Sequence, residues 1–410
     1  MSSKALSGIR VLELGQLIAG PFAAKMLGEF GAEIIKIEPP GKGDPLRNWR
    51  LLHEGTSVWW QVQSRNKKSV SLDLRQPEAQ DLIRKLVAEV DVVIENFKPG
   101  TMEGWGLGWE DLRAINPRLV MLRVSGYGQT GPYRDLPGFG AIGEAMGGLR
   151  HLSGEPGRTP VRVGISIGDS LSALHGVIGI LMALRSRDAT GQGQMIDVAL
   201  YESVFNMMES LLPEYAVFQE VREPAGSSLP GIAPSNAYRC ADNKYVLIAG
   251  NGDSIFKRLM AVIGRPDLAE LPELASNSGR VKHVDMLDAA ISDWAGRHSQ
   301  EAVLAALNQG QIPAGKIYDV ADIAADPHYR ARGMIVDTTL PDGTAIQVPG
   351  IVPKLSGTPG EIASPAPALG QHTDEVLESL GVNAEQGPPM GAPRPHRTHK
   401  KGPPGPQHPP

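Results

Sequence analysis

Cysteine is almost absent from this chain: Cys240 is the only one in 410 residues. A single thiol excludes an intrachain disulfide and any metal site built from clustered cysteines. The remaining residues show no metal-ligand spacing, so we expect no metal. Scarce cysteine is typical of a reducing compartment, and we expect the protein to be cytoplasmic.

Long apolar runs and an excess of positive charge are missing too. No stretch approaches the roughly 18 consecutive apolar residues that suggest a membrane span. The N-terminus passes directly into a strand pattern, without the features of a signal or transit peptide. The net charge is -5 and the pI is about 6.1, which gives no support for a polyanionic partner. We therefore expect neither membrane nor nucleic-acid binding.

The chain length favours two domains, because a single core rarely grows beyond about 250–300 residues. Residues 1–222 alternate strand-like and helix-like segments, which predicts an α/β domain with a parallel sheet covered by helices. Residues 223–236 are rich in Pro, Gly and Ser and predict a linker. A second unit is expected over 237–330. Residues 387–410 are dominated by Pro, Gly and basic residues, a composition that predicts disorder.

The turn after the first predicted strand lacks the fingerprint of a dinucleotide site. That fingerprint is G-x-G-x-x-G, whereas this turn has only Gly15 and Gly20, and it has no P-loop Lys-Ser/Thr pair. Binding of NAD or ATP in the usual way is therefore disfavoured. Pro21 is well suited to the first turn of a helix. Free amides there are able to receive an anion or a thioester oxygen.

Asp169 lies between a glycine turn and a long apolar segment, and its pattern has two interpretations. Asp is among the preferred N-cap residues, so a simple helix cap is the commoner role for such a position. A carboxylate at a helix N-terminus is also favoured in its ionised form and can act as a nucleophile. The residues around Asp169 alone do not decide between these roles.

Ten short motifs, in this order and at these separations, resemble the class III CoA-transferases, the family of the formyl-CoA and carnitine CoA-transferases. Each motif is weak alone, but together they extend over about residues 6–382. They are AGP at 19–21, GAEIIKIEPP at 31–40, GDPLR at 43–47, NKKS at 66–69, LDL at 72–74, ENFKPG at 95–100, SGYGQTGPY at 125–133, GD at 168–169, GQGQ at 191–194 and GQHT at 370–373.

The resemblance implies a Rossmann-like, doubly wound large domain built from both chain ends, with residues 331–386 returning to it, and a smaller α+β domain. It also implies an interlocked homodimer. Asp169 would be the nucleophile, attacking a thioester to form a mixed anhydride. Apart from the CoA thioester, which is a substrate, no cofactor is implied.

The resemblance also assigns residues to the CoA site. The implied set is Gln16 with the Ile18 and Ala19 backbone near the thioester, then Leu72, Asp73, Leu74, Arg75, Asn96, Phe97 and Lys98. Arg75 and Lys98 are cations suited to phosphates, and a solvated surface charge is the alternative for each. Several relatives carry basic residues where this chain has Pro39 and Gly104, so its phosphate contacts must differ.

The sequence PGFGAIGEAMGG at 137–148 most resembles the branch that uses succinyl-CoA with dicarboxylic acids such as itaconate, citramalate, malate and mesaconate. Gly140 and Gly143 would open the pocket wall, and Glu144 could hydrogen-bond the substrate. A dicarboxylate leaves a second carboxylate that needs a cation. Arg150 and Arg162 are the first hypotheses for it, followed by Arg47, with ordinary ion pairing as the alternative.

Three further interpretations remain open. The segment Gly250, Asn251 and Gly252 could act as a lid over the site. An α-methylacyl-CoA racemase of the same fold would need a histidine base at about Phe139, which cannot take a proton, so racemase activity is disfavoured. A non-catalytic CoA-binding protein would not require Asp169.

Overall fold

The computed structural model describes residues 4–382, and its central feature is a six-stranded sheet. The strand order is β5-β2-β1-β6-β7-β8, and all neighbouring strands are parallel. A separate two-stranded ribbon is formed by β3 and β4. The strands are β1 (Arg10–Glu13), β2 (Glu33–Glu38), β3 (Leu52–His53), β4 (Thr56–Ser57), β5 (Lys67–Ser71), β6 (Val92–Glu95), β7 (Val120–Ser125) and β8 (Met195–Ala199).

Helices cover both faces of this sheet. One apolar core lies between the sheet and α3, α5 and α18, and another lies between the sheet and α1 and α8. The parallel α/β architecture predicted from the alternating pattern is thereby confirmed. The helices up to this point are α1 (Ala19–Glu29), α2 (Val58–Gln63), α3 (Pro77–Val87), α4 (Thr101–Gly104), α5 (Trp109–Ile115), α6 (Gly140–Met146), α7 (Leu149–Leu152), α8 (Ile167–Thr190) and α9 (Leu200–Phe205), and α18 (Thr373–Ser379) follows near the C-terminus.

The strand order reverses between β1 and β6. From β1 the chain adds β2 and β5 on one side, whereas β6, β7 and β8 extend the other side. At such a switch point the loops after the two central strands diverge and leave a crevice at the carboxyl ends of the strands. The loop at residues 14–18 and the segment at 96–98 meet there, and they carry several of the predicted site residues.

Contacts divide the chain into two units. The second comprises Ala145–Ile165 and Phe205–Val336, and the first comprises the rest of the described chain, including the segment from Asp337 onward. The predicted boundaries differ from these. The prediction assigned residues 145–165 and 205–222 to the first unit, and it placed the return of the chain to that unit at residue 331. Hydrogen bonding explains part of the difference: the Gly226 N–H donates to the Gly154 carbonyl at 3.0 Å. The predicted tail at 387–410 lies outside the described residues.

The second unit contains a three-stranded antiparallel sheet, in the order β11-β10-β9, packed with helices around its own apolar core. Its elements after α7 are α10 (Leu211–Phe218), β9 (Ser235–Arg239), β10 (Tyr245–Ala249), α11 (Asp253–Val262), α12 (Pro266–Ala269), α13 (Asn277–Lys282), α14 (Val284–Ala295), α15 (Gln300–Gln309), β11 (Ala314–Lys316), α16 (Val320–Ala325) and α17 (Pro327–Ala331). A two-stranded pair then follows, formed by β12 (Ile335–Thr339) and β13 (Ala345–Pro349).

Helix α8 is long and apolar enough, by length and composition alone, to cross a membrane. It is the single such helix within residues 4–382, and 44% of its most apolar window is buried in the protein. Gly176 and Gly179 explain its close approach to the sheet, because a Cβ at either position would lie within 3 Å of a side chain on β7 or β8. A core helix has the same length and hydropathy, so these two properties are weak evidence that α8 spans a membrane.

The returning C-terminal segment is fastened to β5 by a histidine. The Ser69 N–H donates to the His372 Nδ1 at 3.2 Å, and the His372 N–H donates to the Ser69 carbonyl at 2.9 Å. Partial burial lowers the pKa of His372 below its usual value. A protonated Nδ1 cannot accept this hydrogen bond, so this contact requires the neutral imidazole.

We predict that His372 makes the protein less stable in mild acid. Because its pKa is lower in the folded state, the unfolded state binds the proton more readily, and stability is lost as the pH falls below about 6.5. His372→Asn keeps an acceptor near the Nδ1 position, so urea midpoints between pH 5 and 7.5 should vary less than in the wild type. His283→Asn, an exposed control, should retain the wild-type slope. Equal slopes in all three proteins would contradict this role.

Candidate active site

Two hydrogen bonds join the loops at the switch point. The Gln16 N–H donates to the Asn96 Oδ1 at 2.8 Å, and the Asn96 Nδ2 donates to the Gln16 carbonyl at 2.8 Å. Gly15 must lack a side chain here, since a Cβ would lie 2.9 Å from the same Asn96 oxygen. The side chain of Asn96 therefore acts as a bridge that fixes the backbone of Gln16.

Asp169 lies in the first turn of α8, but it is not the helix cap. The helix begins at Ile167 and its N-cap residue is Ser166, so Asp169 occupies the third helical position. The cap interpretation is therefore wrong. The position in the first turn still favours an ionised carboxylate through the helix dipole.

The wall beside the Asp169 carboxylate is made of backbone at Gly140, the first residue of α6. A Cβ built on Gly140 would lie 2.1 Å from the Asp169 Oδ2. On the neighbouring turn, a Cβ at Gly143 would meet the Leu200 backbone at 3.1 Å. Both glycines thus permit close approach of α6. Gly140 lines the Asp169 cavity and leaves room for the carboxylate itself, whereas Gly143 packs against Leu200 and does not line that cavity.

A cavity of about 340 Å³ surrounds Asp169, and the first unit supplies its whole lining. It brings together six of the predicted residues: Gln16, Ile18, Ala19, Asn96, Phe97 and Lys98. Lys98 is the one cationic side chain among the residues that line this cavity, and Asp169 is the one acidic side chain. The lining is otherwise uncharged and contains no histidine.

A larger cavity of about 640 Å³ shares Gln16 and Phe97 with the first one. It brings together the other predicted CoA residues: Leu72, Asp73, Leu74 and Arg75. Pro39, Lys42 and Trp105 also line it. The two cavities therefore adjoin at the loops after β1 and β6, and the Asp169 carboxylate belongs to the smaller one.

The cations of the larger cavity differ in their partners. Arg75 is exposed and donates twice to the Asp73 carboxylate at 2.8 Å, and this guanidinium lowers the pKa of Asp73 to about 2. Lys42 is exposed on a loop between Gly41 and Gly43, and no ion-pair partner for it lies within the described residues. Lys42 is thus a cation for the larger cavity that the sequence did not single out.

Behind the loop at 14–18 lies a buried cluster of charges. The Lys36 Nζ is 2.7 Å from the Glu13 Oε1 and 2.8 Å from the Asp44 Oδ2, and the Lys67 Nζ is 2.8 Å from the Glu13 Oε2. Burial alone would lower the pKa of Lys36, but Asp44 and Glu13 outweigh it and raise that pKa above its usual value. For Lys67 burial prevails and lowers the pKa to about 8. Buried charges at this density require full pairing.

Arg47 does not line the Asp169 cavity. Its guanidinium forms a bidentate pair with the Glu38 carboxylate at 2.8 Å, donates to the Pro367 carbonyl, and stacks over the Trp60 ring at 3.8 Å. It lines a third cavity of about 260 Å³ instead. Since its charge is balanced by a buried carboxylate, the structure gives Arg47 a structural role in joining β2 to the C-terminal segment.

The three other residues predicted to bind the substrate are also absent from the lining of the Asp169 cavity. Glu144 is buried in the first unit, where its Cγ lies 3.3 Å from the Cβ position of Gly168. Arg150 and Arg162 belong to the second unit, with Arg150 half-buried and Arg162 exposed.

The predicted lid segment is well anchored inside the second unit. The fully buried Arg280 donates to the Asn251 carbonyl at 2.6 Å and pairs with Asp253 at 2.7 Å. The Gly250 N–H donates to the Pro234 carbonyl, and a Cβ on Gly250 would lie 2.5 Å from Leu259. These contacts hold the segment in one conformation, and its function as a lid stays a prediction.

Some lining residues were missed by sequence reasoning. Leu17, Val124, Ser125 and Leu200 line the Asp169 cavity, and Trp105 lines the larger one. Val124 and Ser125 end β7, so the rule that ligands bind at the carboxyl ends of parallel strands could have found them. Leu17 and Trp105 follow from loop conformations that leave no comparable signal in the sequence.

A group that could hold a metal ion lies elsewhere, at His53, Glu54 and Asp342. It is largely exposed, and the His53 Nε2 already lies at hydrogen-bonding distance, 2.7 Å, from the Asp342 Oδ2. None of the three lines either cavity of the candidate site. The expectation that the reaction needs no metal stays a prediction.

An ionisable carboxylate in a cavity that adjoins a larger one, beside a doubly wound sheet, is an arrangement suited to covalent group transfer. Comparison with known proteins gives the class: a profile described as CoA-transferase family III matches residues 6–373, and the chain belongs to that family. It is a CoA-transferase, as the motifs predicted.

The similarity to relatives and to solved structures extends over nearly the full length of the chain. The succinyl-CoA–D-citramalate CoA-transferase of Chloroflexus aurantiacus is 49% identical, over 92% of this chain and 94% of that protein. The succinyl-CoA–L-malate CoA-transferase beta subunit of the same organism is 45% identical, over 93% and 95%. The crystal structure of a CAIB/BAIF family protein from Brucella suis is 34% identical, with a TM-score of 0.81 over 92% of this chain and 100% of that one.

We predict that Gly140→Ala disables the enzyme without unfolding it. The added Cβ would occupy the position of the Asp169 carboxylate, and a displacement of about 1 Å costs on the order of a hundredfold in rate. The measurement is kcat for CoA transfer, with circular dichroism to check folding. Gly315→Ala is the control, because a Cβ there meets nothing within 4 Å. Full activity of Gly140→Ala would show that the carboxylate position is unimportant.

Proposed function

We propose that this enzyme transfers CoA from succinyl-CoA to a small dicarboxylic acid, with Asp169 as the covalent nucleophile. The single observation that carries the mechanism is the Asp169 carboxylate in a cavity that adjoins a larger one. The substrate class is supported by the relatives, which are named for succinyl-CoA with D-citramalate, L-malate and mesaconate, and for succinate with glutarate. Itaconate is a further candidate acceptor from the family resemblance.

In this proposal the larger cavity holds the body of the CoA thioester. Leu72 and Leu74 offer apolar surface, and Asp73 fixes Arg75 at the rim. Arg75 and Lys42 are the cations available to phosphates in the absence of basic residues at Pro39 and Gly104. Phe97 and Trp105, whose ring centroids are 5.3 Å apart, add an aromatic wall.

The chemistry proceeds through balanced acyl-transfer steps. A carboxylate oxygen of Asp169 attacks the thioester carbonyl, the C–S bond breaks, and CoA departs as the thiolate. The thiolate then attacks the aspartyl carbonyl of the mixed anhydride, which releases succinate and leaves an aspartyl-CoA thioester. An acceptor carboxylate then attacks the aspartyl-CoA thioester, which expels CoA thiolate and gives a second mixed anhydride. The thiolate attacks the acceptor's acyl carbon in that anhydride, which forms the new acyl-CoA and regenerates the Asp169 carboxylate.

The loop after β1 would stabilise the charge that develops on the reacting carbonyl oxygen. Ile18 and Ala19 line the Asp169 cavity, and no acceptor for either backbone N–H lies among residues 4–382. Oriented backbone N–H groups of this kind stabilise oxyanions effectively, since they need no reorganisation. Gln16 and Asn96 fix the orientation of the loop through their mutual hydrogen bonds.

Lys98 is the cation that we assign to the second carboxylate of the dicarboxylic acid. It lies in the lining of the Asp169 cavity, and no partner for its ammonium lies within the described residues. This role replaces the phosphate contact inferred from the motif. Arg150 and Arg162 remain hypotheses for the same carboxylate, whereas Arg47 is already occupied by Glu38.

The substrate proposal is tested by mass spectrometry of acyl-CoA products. Purified enzyme with succinyl-CoA is expected to form the CoA thioesters of citramalate, malate, itaconate or mesaconate when each acid is supplied. Asp169→Asn should lower kcat by at least about a thousandfold, because an amide cannot form the anhydride. Unchanged transfer by that variant would exclude Asp169 as the nucleophile, and products from none of the acids would exclude the substrate class.

We predict that Lys98→Met raises the Michaelis constant for the dicarboxylic acceptor by about ten- to a hundredfold, the range expected for a lost charge-assisted hydrogen bond. Affinity for free CoA, measured by calorimetry, should change less than about threefold. Lys85→Met, at an exposed position on α3, is the control. If the variant instead bound free CoA more weakly and kept the Michaelis constant for the acceptor, Lys98 would be a phosphate contact.

Racemase activity is the alternative function, and the site disfavours it. Phe139 lines the Asp169 cavity where a second base would be required. Incubation of an α-methylacyl-CoA in deuterium oxide distinguishes the two reactions, because only a racemase incorporates deuterium at the α carbon. A transferase leaves that position unlabelled.

We also propose a cytoplasmic homodimer. Leu174, Ile178, Leu181 and Met182 are exposed on α8, an apolar face that is unusual for a monomer. Light scattering should then give twice the 43.8 kDa of one chain, and a mass of one chain would contradict the dimer. The family resemblance is also the basis for two further parts of this proposal: the two chains interlock, and the segment at residues 250–252 closes over the site.

A further inference from the structure

The loop after β1 has a strained backbone at Leu17. Its φ is 66°, in the left-handed region that glycine and asparagine enter readily and leucine does not. Such conformations persist where the surrounding structure enforces them, and they concentrate at functional sites. Leu17 directly precedes Ile18 and Ala19, which line the Asp169 cavity and whose backbone N–H groups have no acceptor within residues 4–382.

Asp44 enforces this conformation from behind the loop. Its carboxylate accepts the Leu17 N–H at 3.0 Å and the Leu46 N–H at 2.9 Å, and it lies 2.8 Å from the Lys36 Nζ. Asp44 and Lys36 are fully buried. Without Lys36, an ionised Asp44 would be a buried and uncompensated charge.

Lys36 fixes a second point of the same loop. Its ammonium donates to the Gly15 carbonyl at 2.9 Å and to Glu13 at 2.7 Å. The Gln63 amide donates to the Ile18 carbonyl at 3.0 Å. Together with Asn96, these side chains form hydrogen bonds with the backbone N–H and carbonyl groups on the inner side of the loop. Within the described part of the chain, the N–H groups of Ile18 and Ala19 have no such partner.

We propose that Asp44, held by Lys36, is a positioning residue for CoA transfer. It sets the left-handed backbone of Leu17 and thereby aims the Ile18 and Ala19 amides at the thioester carbonyl. This inference rests on the proposed function of Asp169. It assigns a role to a buried ion pair that touches neither substrate nor nucleophile.

The first test compares Asp44→Asn with Glu29→Gln. Glu29 forms an equally buried pair with Arg65 at 2.6 Å but lies at the far end of α1 from the loop. Both variants should lose some thermal stability. At a temperature where both are folded, Asp44→Asn should lower kcat at least about tenfold, with less than about a threefold change in the Michaelis constant for acyl-CoA. Glu29→Gln should retain kcat within about twofold.

The second test leaves the buried charges intact and therefore does not depend on whether Asp44→Asn folds. Leu17→Asn introduces a residue that tolerates the left-handed region, whereas Leu17→Val introduces a β-branched residue that resists it. The Leu17→Val variant should have a kcat at least about fivefold below that of the Leu17→Asn variant.

Three results would overturn the inference: equal kcat losses in Asp44→Asn and Glu29→Gln, a loss confined to the Michaelis constant, or a Leu17→Val enzyme as active as the Leu17→Asn enzyme. Failure of the nucleophile assignment is distinguishable from these. In that case Asp169→Asn would remain active, while the comparison of Asp44→Asn with Glu29→Gln would still report on the loop.

Discussion

The paired hydrogen bonds between Gln16 and Asn96 are the interaction on which the site depends. They join the loops after β1 and β6, at the point where the strand order reverses. Because Gln16 lines both cavities, this link sets the boundary between them. The doubly wound sheet usually forms its ligand crevice at such a switch point. Here the crevice lacks the dinucleotide fingerprint and instead leads to the carboxylate of Asp169.

The sequence predicted the large domain well, because strands covered on both faces have near-continuous apolar runs. The start of β5 at Lys67 is harder to predict. Lys67 and Lys68 look like loop residues, and the burial of Lys67 is explained by its long-range contacts with the Glu13 carboxylate and the Pro21 carbonyl. The break between α9 and α10, where Glu209 has a φ of 50°, likewise has no Gly or Pro signal at that residue.

The site was predicted unevenly, because the roles of its cations depend on tertiary contacts. Family motifs identified Asp169 and the loops around it, but they could not say which cations are already neutralised. Arg47 looks like a substrate anchor until β2 and the C-terminal segment supply Glu38 and the Pro367 carbonyl. Lys98 was assigned to a phosphate by its motif, and its place in the lining of the Asp169 cavity allows a second role. Charge pairing is a property of the tertiary structure, so spacing in the sequence does not reveal it.

The most direct test of the account follows oxygen into the side chain of Asp169. In the anhydride mechanism, one oxygen of the acceptor carboxylate remains on the aspartate when the new acyl-CoA is released. After turnover with an acceptor labelled with oxygen-18, mass spectrometry of the peptide containing Asp169 should show a gain of about 2 Da for one exchanged oxygen. Label in the released succinate with none in that peptide would mean direct transfer between the two acids, and the central role of Asp169 would be contradicted.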